Sequence, residues 1–159
     1  MTAGTVHTVY ALAPGARLLL GGGGVAVVLP AKKRLADLTR SQLGLLRSLN
    51  AGPVTVDDSD SDAAALVHRL IEAGALAMTV SAGDRELYSL RPFRRPPTIR
   101  PAIEDAVHDV ELSRFTVIRR DAGIVVAENP RAWCDIEIRD PEILSAAYKA
   151  PPGFDEFAV

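Results

Sequence analysis

Short apolar runs separated by glycine or proline turns constrain this 159-residue chain more than any other feature of its sequence. The first three runs cover residues 7–12, 17–20 and 25–29. They are separated by Ala13-Pro14-Gly15 and by four consecutive glycines at 21–24. Runs this short, bounded by turn residues, are typical of β-strands. The opening of the chain therefore predicts a three-stranded antiparallel meander.

Two helices are predicted after these strands. Thr39 and Gln42 have the spacing of a capping box, which begins a helix carrying Leu43, Leu45, Leu46 and Leu49. The sequence Asn-Ala-Gly-Pro at 50–53 ends it. After an acidic and serine-rich run at 56–62, a second helix is expected from about Ser61, with an apolar face formed by Ala63, Leu66, Val67, Leu70 and Ile71. Gly74 is suited to its C-terminal cap.

A β-hairpin follows the second helix. Two strand-like runs, at 76–80 and 86–90, flank the turn signal Ala82-Gly83-Asp84. Strands, two helices and a hairpin in this order are the pattern of a winged-helix module, with the hairpin as the wing. We therefore predict the α+β class, with residues 1–92 forming a winged-helix recognition module that begins with a three-stranded sheet.

A proline- and arginine-rich segment follows this module. Residues 91–101 contain four prolines and four arginines, and such a density of proline excludes a regular helix or a central strand. We assign 93–101 as a linker and 102–159 as a partial second winged-helix-like module. The arginines are explained by a solvated linker, although contact with phosphate or an acidic peptide stays open.

The second module repeats the start of the first. A hairpin is predicted from residue 115 to residue 128 around Asp121-Ala122-Gly123, and a third strand at 134–138. A last helix at 142–149 is expected, with Asp140 as its cap and Pro141 in its first turn. Residues 103–110 have weak helical spacing and are left unassigned.

Composition excludes several classes of function. The net charge of -2 gives no general attraction to nucleic acid or to an anionic membrane. The longest apolar runs are far shorter than the roughly 20 residues that span a bilayer, and residues 1–9 do not resemble a secretory signal. Cys134 is the only cysteine, so neither an intramolecular disulfide nor a multi-cysteine metal site can form. We expect a cytoplasmic protein.

No catalytic set is apparent in the sequence. His7, His68 and His108 lack the spacing of a metal site, and Cys134 has no identifiable base nearby in sequence. The glycines at 21–24 are not followed by the lysine of a phosphate-binding loop. The acidic run lacks the central glycine and distal glutamate of a calcium loop. We expect no enzymatic activity, no metal and no bound cofactor.

A peptide-binding edge is the remaining candidate site. An exposed strand edge binds an extended peptide through backbone hydrogen bonds, and neighbouring side chains select its sequence. We take Val25–Leu29 as that edge and the helix at 63–71 as the wall beside it. The alternative, in which the rest of the protein covers this strand, stays open.

Several stretches of the chain resemble one family, over about residues 7 to 150. They are Leu35-Ala36-Asp37-Leu38-Thr39, Leu70-Ile71-Glu72-Ala73-Gly74-Ala75-Leu76, Leu87-Tyr88-Ser89-Leu90-Arg91-Pro92, Leu112-Ser113-Arg114-Phe115-Thr116-Val117-Ile118-Arg119-Arg120, Val126-Ala127-Glu128-Asn129-Pro130-Arg131 and Ile138-Arg139-Asp140-Pro141. Together they resemble the N-terminal, noncatalytic region of SagB-type azoline dehydrogenases, which use flavin mononucleotide (FMN). That resemblance implies RiPP recognition element modules, which bind the leader of a ribosomally made precursor peptide between a third strand and a third helix.

The resemblance also implies a site and partners. Carried over by position, the peptide-binding residues are Val25, Ala26, Val27, Val28, Leu29, Ala64, Val67, His68 and Ile71. The partners would be a precursor leader peptide and a cyclodehydratase or FMN-dependent dehydrogenase chain, with a homodimer left open and no nucleic acid or membrane. The family's flavin-binding residues have no counterpart here. The chain thus resembles a recognition subunit, half of a split dehydrogenase or a segment of a longer enzyme.

Two other functions compete with leader binding. One is a structural subunit that completes a split FMN-dependent dehydrogenase without binding the leader. The other is a winged-helix regulator that places a helix in the DNA major groove. The second predicted helix, however, offers only His68 and Arg69 as polar readers and is acidic at its start.

Overall fold

A computed structural model describes residues 5–21, 25–57, 59–94 and 115–143 of the chain. The elements in chain order are β1 (Val6–Leu12), β2 (Arg17–Gly21), β3 (Val25–Leu29), β4 (Lys33–Leu35), α1 (Arg40–Ala51), β5 (Val54–Thr55), α2 (Ser61–Glu72), β6 (Leu76–Ala82), β7 (Arg85–Pro92), β8 (Val117–Asp121), β9 (Ile124–Glu128) and β10 (Cys134–Ile138). The described strands form a seven-stranded sheet, in the order β5-β1-β6-β7-β10-β9-β8, and a three-stranded sheet, in the order β2-β3-β4. Every pairing is antiparallel, and the class is α+β.

The first strand does not belong to the sheet that the sequence predicted for it. β1 pairs along its whole length with β6, from Val6 opposite Ala82 to Leu12 opposite Leu76. Its other side pairs with the short β5. The predicted meander is therefore wrong at β1, although the pairing of β2 with β3 is confirmed. The reason is burial, since Tyr10, Leu12 and Leu76 pack in the main core, which a local meander would not provide.

Helix α1 begins where the sequence predicts. The Thr39 hydroxyl accepts a hydrogen bond from the Gln42 backbone N–H at 3.2 Å, and the Gln42 side chain accepts one from the Thr39 N–H at 3.2 Å. This reciprocal pair satisfies two donors at the helix start that lack an intrahelical partner. Leu46 and Leu49 are buried on the inner face of the helix, so the predicted leucine face is confirmed.

Helix α2 is capped at both ends by residues next to it in the sequence. The Asp60 carboxylate accepts the Ala63 N–H at 3.0 Å at the start. At the end, Gly74 has a φ of 67°. Its N–H donates to the Ile71 carbonyl at 2.8 Å, and the Ala75 N–H donates to the Leu70 carbonyl at 3.0 Å. These bonds form a Schellman motif, which needs a residue in the left-handed conformation and so favours glycine.

The two helices and the small sheet share one core with β1 and β6. Its fully buried side chains come from every layer and include Val28, Leu35, Leu46, Leu66, Leu70 and Leu76. Val28 and Leu35 lie on the same face of the small sheet, which is therefore the face turned towards the helices. The opposite face carries Leu19, which is 55% exposed.

The first residues of the proline-rich segment are part of the large sheet. β7 continues through Arg91 to Pro92 and lies between β6 and β10, with Pro92 opposite Cys134. Proline is tolerated here because it occupies the last position of the strand, where at most one ladder hydrogen bond is lost. The expectation that residues 91 and 92 lie outside a central strand is therefore wrong. The division into domains stays a prediction.

The second half forms the strands that the sequence indicates. β8 and β9 make a hairpin whose turn residues Ala122 and Gly123 have φ values of 45° and 87°, as in a two-residue hairpin turn. Asp140 accepts hydrogen bonds from the N–H groups of Glu142 and Ile143, which is the expected capping geometry. Beyond Ile143 the predicted last helix lies outside the described residues, as do His108, the unassigned run 103–110 and most of the linker.

Candidate functional site

β4, a strand that the sequence analysis did not identify, is one of the two edge strands of the small sheet, and β2 is the other. β4 pairs with β3 through Leu35 opposite Ala26, Arg34 opposite Val27 and Lys33 opposite Val28. Within the described part of the chain, no strand pairs with its other side. Two of its three residues are basic, so it lacks the apolar run that marked the other strands. Two sequence features indicate a strand here: the turn at residues 30–32 before β4, and the apolar Leu35 that β4 directs into the core.

Helix α2 lies beside β4. The Lys33 ammonium is on the same face of the sheet as Leu35, and it lies 3.4 Å from the carbonyl oxygen of Arg69. It also lies 3.5 Å from the Glu72 carboxylate, with which it forms an ion pair. One side chain of β4 thus reaches the last turns of α2, and we use the name β4–α2 groove for the exposed surface between the outer edge of β4 and the exposed side of α2.

Small and polar side chains form the solvent-facing side of α2. Ala64, His68 and Glu72 follow each other at four-residue spacing, and all three are exposed. His68 Nδ1 lies 3.7 Å from Glu72 Oε1. Residues four apart share a helix face, so these side chains form one stripe. Ala64 leaves the start of the stripe shallow, and the charged groups are confined to its end.

Contacts with α1 fix the start of α2. The Thr39 hydroxyl donates to the Asp62 carboxylate at 3.0 Å, and the Gln42 side-chain amide donates to the Asp62 carbonyl at 3.1 Å. Gln42 is buried, so its amide is held at a defined position. The N-terminal end of α2 is therefore held by α1, and its C-terminal end is contacted by Lys33.

The expectation that β3 offers a free edge is wrong. Val27 in the middle of β3 pairs with Leu19 of β2 on one side and with Arg34 of β4 on the other. Both edges of β3 are therefore used inside the small sheet, which the sequence could not reveal without β4. Ala26 and Val28 are fully buried in the core and cannot line an open groove. Val25, Val27 and Leu29 lie on the opposite face and are half-buried.

The site residues predicted on α2 divide in the same way. Ala64 and His68 are exposed on the stripe beside β4. Val67 is 5% exposed and belongs to the core, and Ile71 is partly buried against it. The peptide-binding role of these residues stays a prediction, and in this arrangement the buried ones act only as packing behind the groove.

The charge around β4 is strongly basic. Lys32, Lys33 and Arg34 are consecutive. The carboxylate paired with this group is that of Glu72. The groove thus has a local positive charge, although the whole chain has a net charge of -2.

The other candidate sites from the sequence have structural roles in the described residues. Asp60 caps α2, and Asp57 accepts the Ser59 N–H at 2.8 Å. Cys134 is buried, and burial together with the nearby Asp135 raises the pKa of its thiol to about 11. A thiol with so high a pKa is a poor nucleophile near neutral pH. No group of three potential metal ligands occurs within the described ranges.

Comparisons with known proteins do not assign this chain to a family. It matches no family model, and no curated protein is significantly similar to it. Within the described residues, neither helix has the length and apolar content needed to cross a lipid bilayer.

Proposed function

We propose that this chain is a noncatalytic module that binds an extended peptide in the β4–α2 groove, the leader of a ribosomally made precursor peptide, and presents it to a modifying enzyme. The observation that carries the proposal is the open edge of β4 beside the exposed stripe of α2. In this proposal the first half is a winged-helix module of the RiPP recognition element kind. Peptide binding then needs neither a cofactor nor a catalytic residue in this chain.

Strand addition explains how such a groove binds a peptide. The outward N–H and C=O groups of β4 supply backbone hydrogen bonds, and each of these contributes about 0.5–1.5 kcal/mol net. A strand of three residues offers few such bonds, so most of the affinity must come from side chains. Alternate peptide residues would point towards α2, where Ala64 leaves room for an apolar anchor and His68 offers a polar contact.

The remaining edges are less suited to this role. β1 shares part of its outer edge with β5. On β2, the Leu18 carbonyl already accepts a hydrogen bond from the Asn50 side chain at 3.3 Å. On β8, Arg119 forms ion pairs with Asp121 and with Glu128 of β9, and charged side chains are a common protection of edge strands against pairing. The helix beside β2 is α1, which already contacts that strand through Asn50, whereas α2 presents exposed side chains next to β4.

Fluorescence polarisation tests the proposal directly. Labelled leader peptides encoded beside the gene are titrated with the protein, and scrambled leaders serve as controls. Saturable binding of one leader and not of its scramble is expected. The backbone amides of that leader are then methylated at every second residue, in two peptides that differ in which set is methylated. Only one set of amides faces β4, so methylation of that set should weaken binding about tenfold or more, and methylation of the other set should have little effect.

Two outcomes would refute the proposal. The first is the absence of saturable binding by every leader. The second is binding that tolerates amide methylation at all positions, which would exclude strand addition. The methylated peptides leave the protein unaltered, so loss of binding cannot come from misfolding of the module.

A structural subunit of a split FMN-dependent dehydrogenase is the second candidate function. It is favoured by the exposed apolar side chains Phe93, Phe115 and Val117 at the end of the large sheet where β7 stops and β8 begins. The Arg131 guanidinium lies 4.5 Å from the centre of the Phe115 ring, an arginine–aromatic arrangement common at protein interfaces. Under this function, stable co-purification with a flavin-containing chain would be lost in Val117→Asp and retained in Lys33→Gln.

A DNA-binding regulator is disfavoured by charge. The outward stripe of α2 ends in Glu72, and Asp62 lies in the first turn, so carboxylates stand where phosphate contacts would be needed. Binding to duplex DNA that weakens steeply with salt would reverse this judgement, because the slope counts phosphate contacts.

A further inference from the structure

The basic residues of β4 lie on both faces of an open strand. Side chains alternate along a strand, so Lys33 is directed to the face that meets α2 and Arg34 to the opposite face, beside Val27. Among the described residues, neither Arg34 nor the preceding Lys32 forms an ion pair, and Lys33 is paired with Glu72 alone. A peptide strand added to β4 would therefore meet a cation on each of its two faces.

We propose that the β4–α2 groove selects peptides with two successive acidic residues, and that the Glu72 carboxylate pairs with Lys33 until a peptide carboxylate replaces it. The inference rests on the proposed function, because it names the class of peptide that the same groove accepts. Opposite charges directly across two strands attract each other. One acidic residue would face Lys33 and the next would face Arg34.

The ion pair between Lys33 and Glu72 is weak enough for a peptide carboxylate to replace Glu72. Its N–O distance of 3.5 Å is long for a charge-assisted hydrogen bond, and the Glu72 side chain is 50% exposed. Exposed ion pairs of this kind contribute little to stability. The ammonium also lies near the Arg69 carbonyl at 3.4 Å, which keeps it beside the groove when Glu72 moves away. Glu72 has His68 as a second partner, at 3.7 Å.

A peptide-display selection tests the acidic preference without knowledge of the natural leader. A random library of 12-residue peptides is selected on the full-length protein and, in parallel, on Lys33→Gln. The wild-type protein should enrich peptides with an Asp or Glu pair in an otherwise apolar stretch. That enrichment should fall on Lys33→Gln and persist on Arg47→Gln, which removes the same charge from the exposed surface of α1.

The role of Glu72 is tested with the best selected peptide and with its counterpart that has Asn and Gln for Asp and Glu. Glu72→Gln should bind the acidic peptide about two- to fivefold more tightly, the size expected for release of one exposed ion pair. The amide counterpart should show no such gain. Glu86→Gln is the matched control, because Glu86 is 53% exposed and forms a comparable ion pair with Arg139 at 3.0 Å.

The outcomes separate this inference from the proposed function. Failure to enrich any peptide on the wild-type protein would overturn both. Enrichment of apolar peptides without acidic residues, or equal acidic enrichment on Lys33→Gln, would overturn the acidic preference and leave peptide binding in place. Unchanged affinity in Glu72→Gln, or an equal gain in Glu86→Gln, would overturn the competition by Glu72.

Discussion

The buried carboxylate of Asp140 links two parts of the large sheet. It is 1% exposed, and its oxygens accept the N–H groups of Glu142 and Ile143 and pair with Arg85 Nε at 2.9 Å. It therefore connects the start of β7 to the segment that follows β10. Removal of a helix cap costs about 0.5–2 kcal/mol, and loss of the ion pair adds to this.

We expect Asp140→Ala to lower the free energy of unfolding by about 1–3 kcal/mol, measured by urea denaturation. The control is Asp121→Ala, which removes an exposed carboxylate paired with Arg119 at 2.8 Å. Its unfolding midpoint should barely change, because solvent screens such a pair. Equal effects of the two substitutions would contradict a special role for the buried group.

Cys134 gives a prediction about pH. Burial, and then the charge of Asp135, raises the pKa of this thiol to about 11, whereas an unfolded cysteine titrates near about 8.5. The neutral thiol is thus favoured by folding, so this stabilisation is complete below about pH 8.5 and is lost as the pH rises towards 11.

Native protein should therefore react with a thiol-exchange reagent far more slowly at pH 8 than urea-unfolded protein does. Between pH 8 and pH 10, Cys134→Ala should lose less stability than the wild-type protein. Rapid reaction of the native thiol at pH 8 would show that Cys134 is accessible and would reopen the question of a nucleophile.

At the scale of elements, the position of β3 inside the small sheet has a measurable consequence. Val27 has a paired strand on each side, so Val27→Pro must remove a ladder hydrogen bond and place a proline ring inside a sheet. We expect a loss of about 1–3 kcal/mol in thermal or urea unfolding. Val117→Pro is the matched control, because Val117 begins the edge strand β8 and is 57% exposed. A smaller loss in Val27→Pro than in Val117→Pro would refute the interior position.

The elements that the sequence predicted well are those defined by local bonds. The Thr39–Gln42 capping box, the Asp60 cap and the Gly74 terminus all depend on residues within one or two turns. The hairpin of β8 and β9 depends on two turn residues. β4 was missed because a strand of Lys33-Arg34-Leu35 has no apolar run of its own, and it forms by pairing with β3.

The candidate site was predictable only where it depends on local sequence. Periodicity predicted the apolar face of α2, whereas Ala64 and His68 came from the family resemblance, and both are exposed in the structure. The strand beside them was misassigned, because an edge is a property of the whole sheet and not of one run of residues. Strand counting along the chain took β1 as the first member of a sheet to which it does not belong.

At the scale of the molecule, β7 and β10 join the two halves of the chain in one sheet. Five residues of β10 pair with β7, from Cys134 opposite Pro92 to Ile138 opposite Tyr88. We expect the two halves to unfold together. Trp133, the single tryptophan, reports on the second half, and far-ultraviolet circular dichroism reports on α1 and α2 in the first.

The urea transitions followed by these two signals should coincide in the wild-type protein. They should also shift together in Ile138→Val, which removes one methyl group from a buried position of β10 at a cost of about 0.5–1.5 kcal/mol. Separate transitions, with only the tryptophan signal shifted by Ile138→Val, would show two independently folding domains.

The place of β1 between β5 and β6 also bears on how the protein is made. This strand is translated before β6, the neighbour with which it pairs along its whole length and which ends at Ala82. The ribosome must add residues 13 to 82 before the pairing can close, which takes roughly 4 to 14 seconds at about 5–20 residues per second. β1 stays without this partner during that time, so its unpaired backbone amides are open to chaperones that bind extended nascent chains.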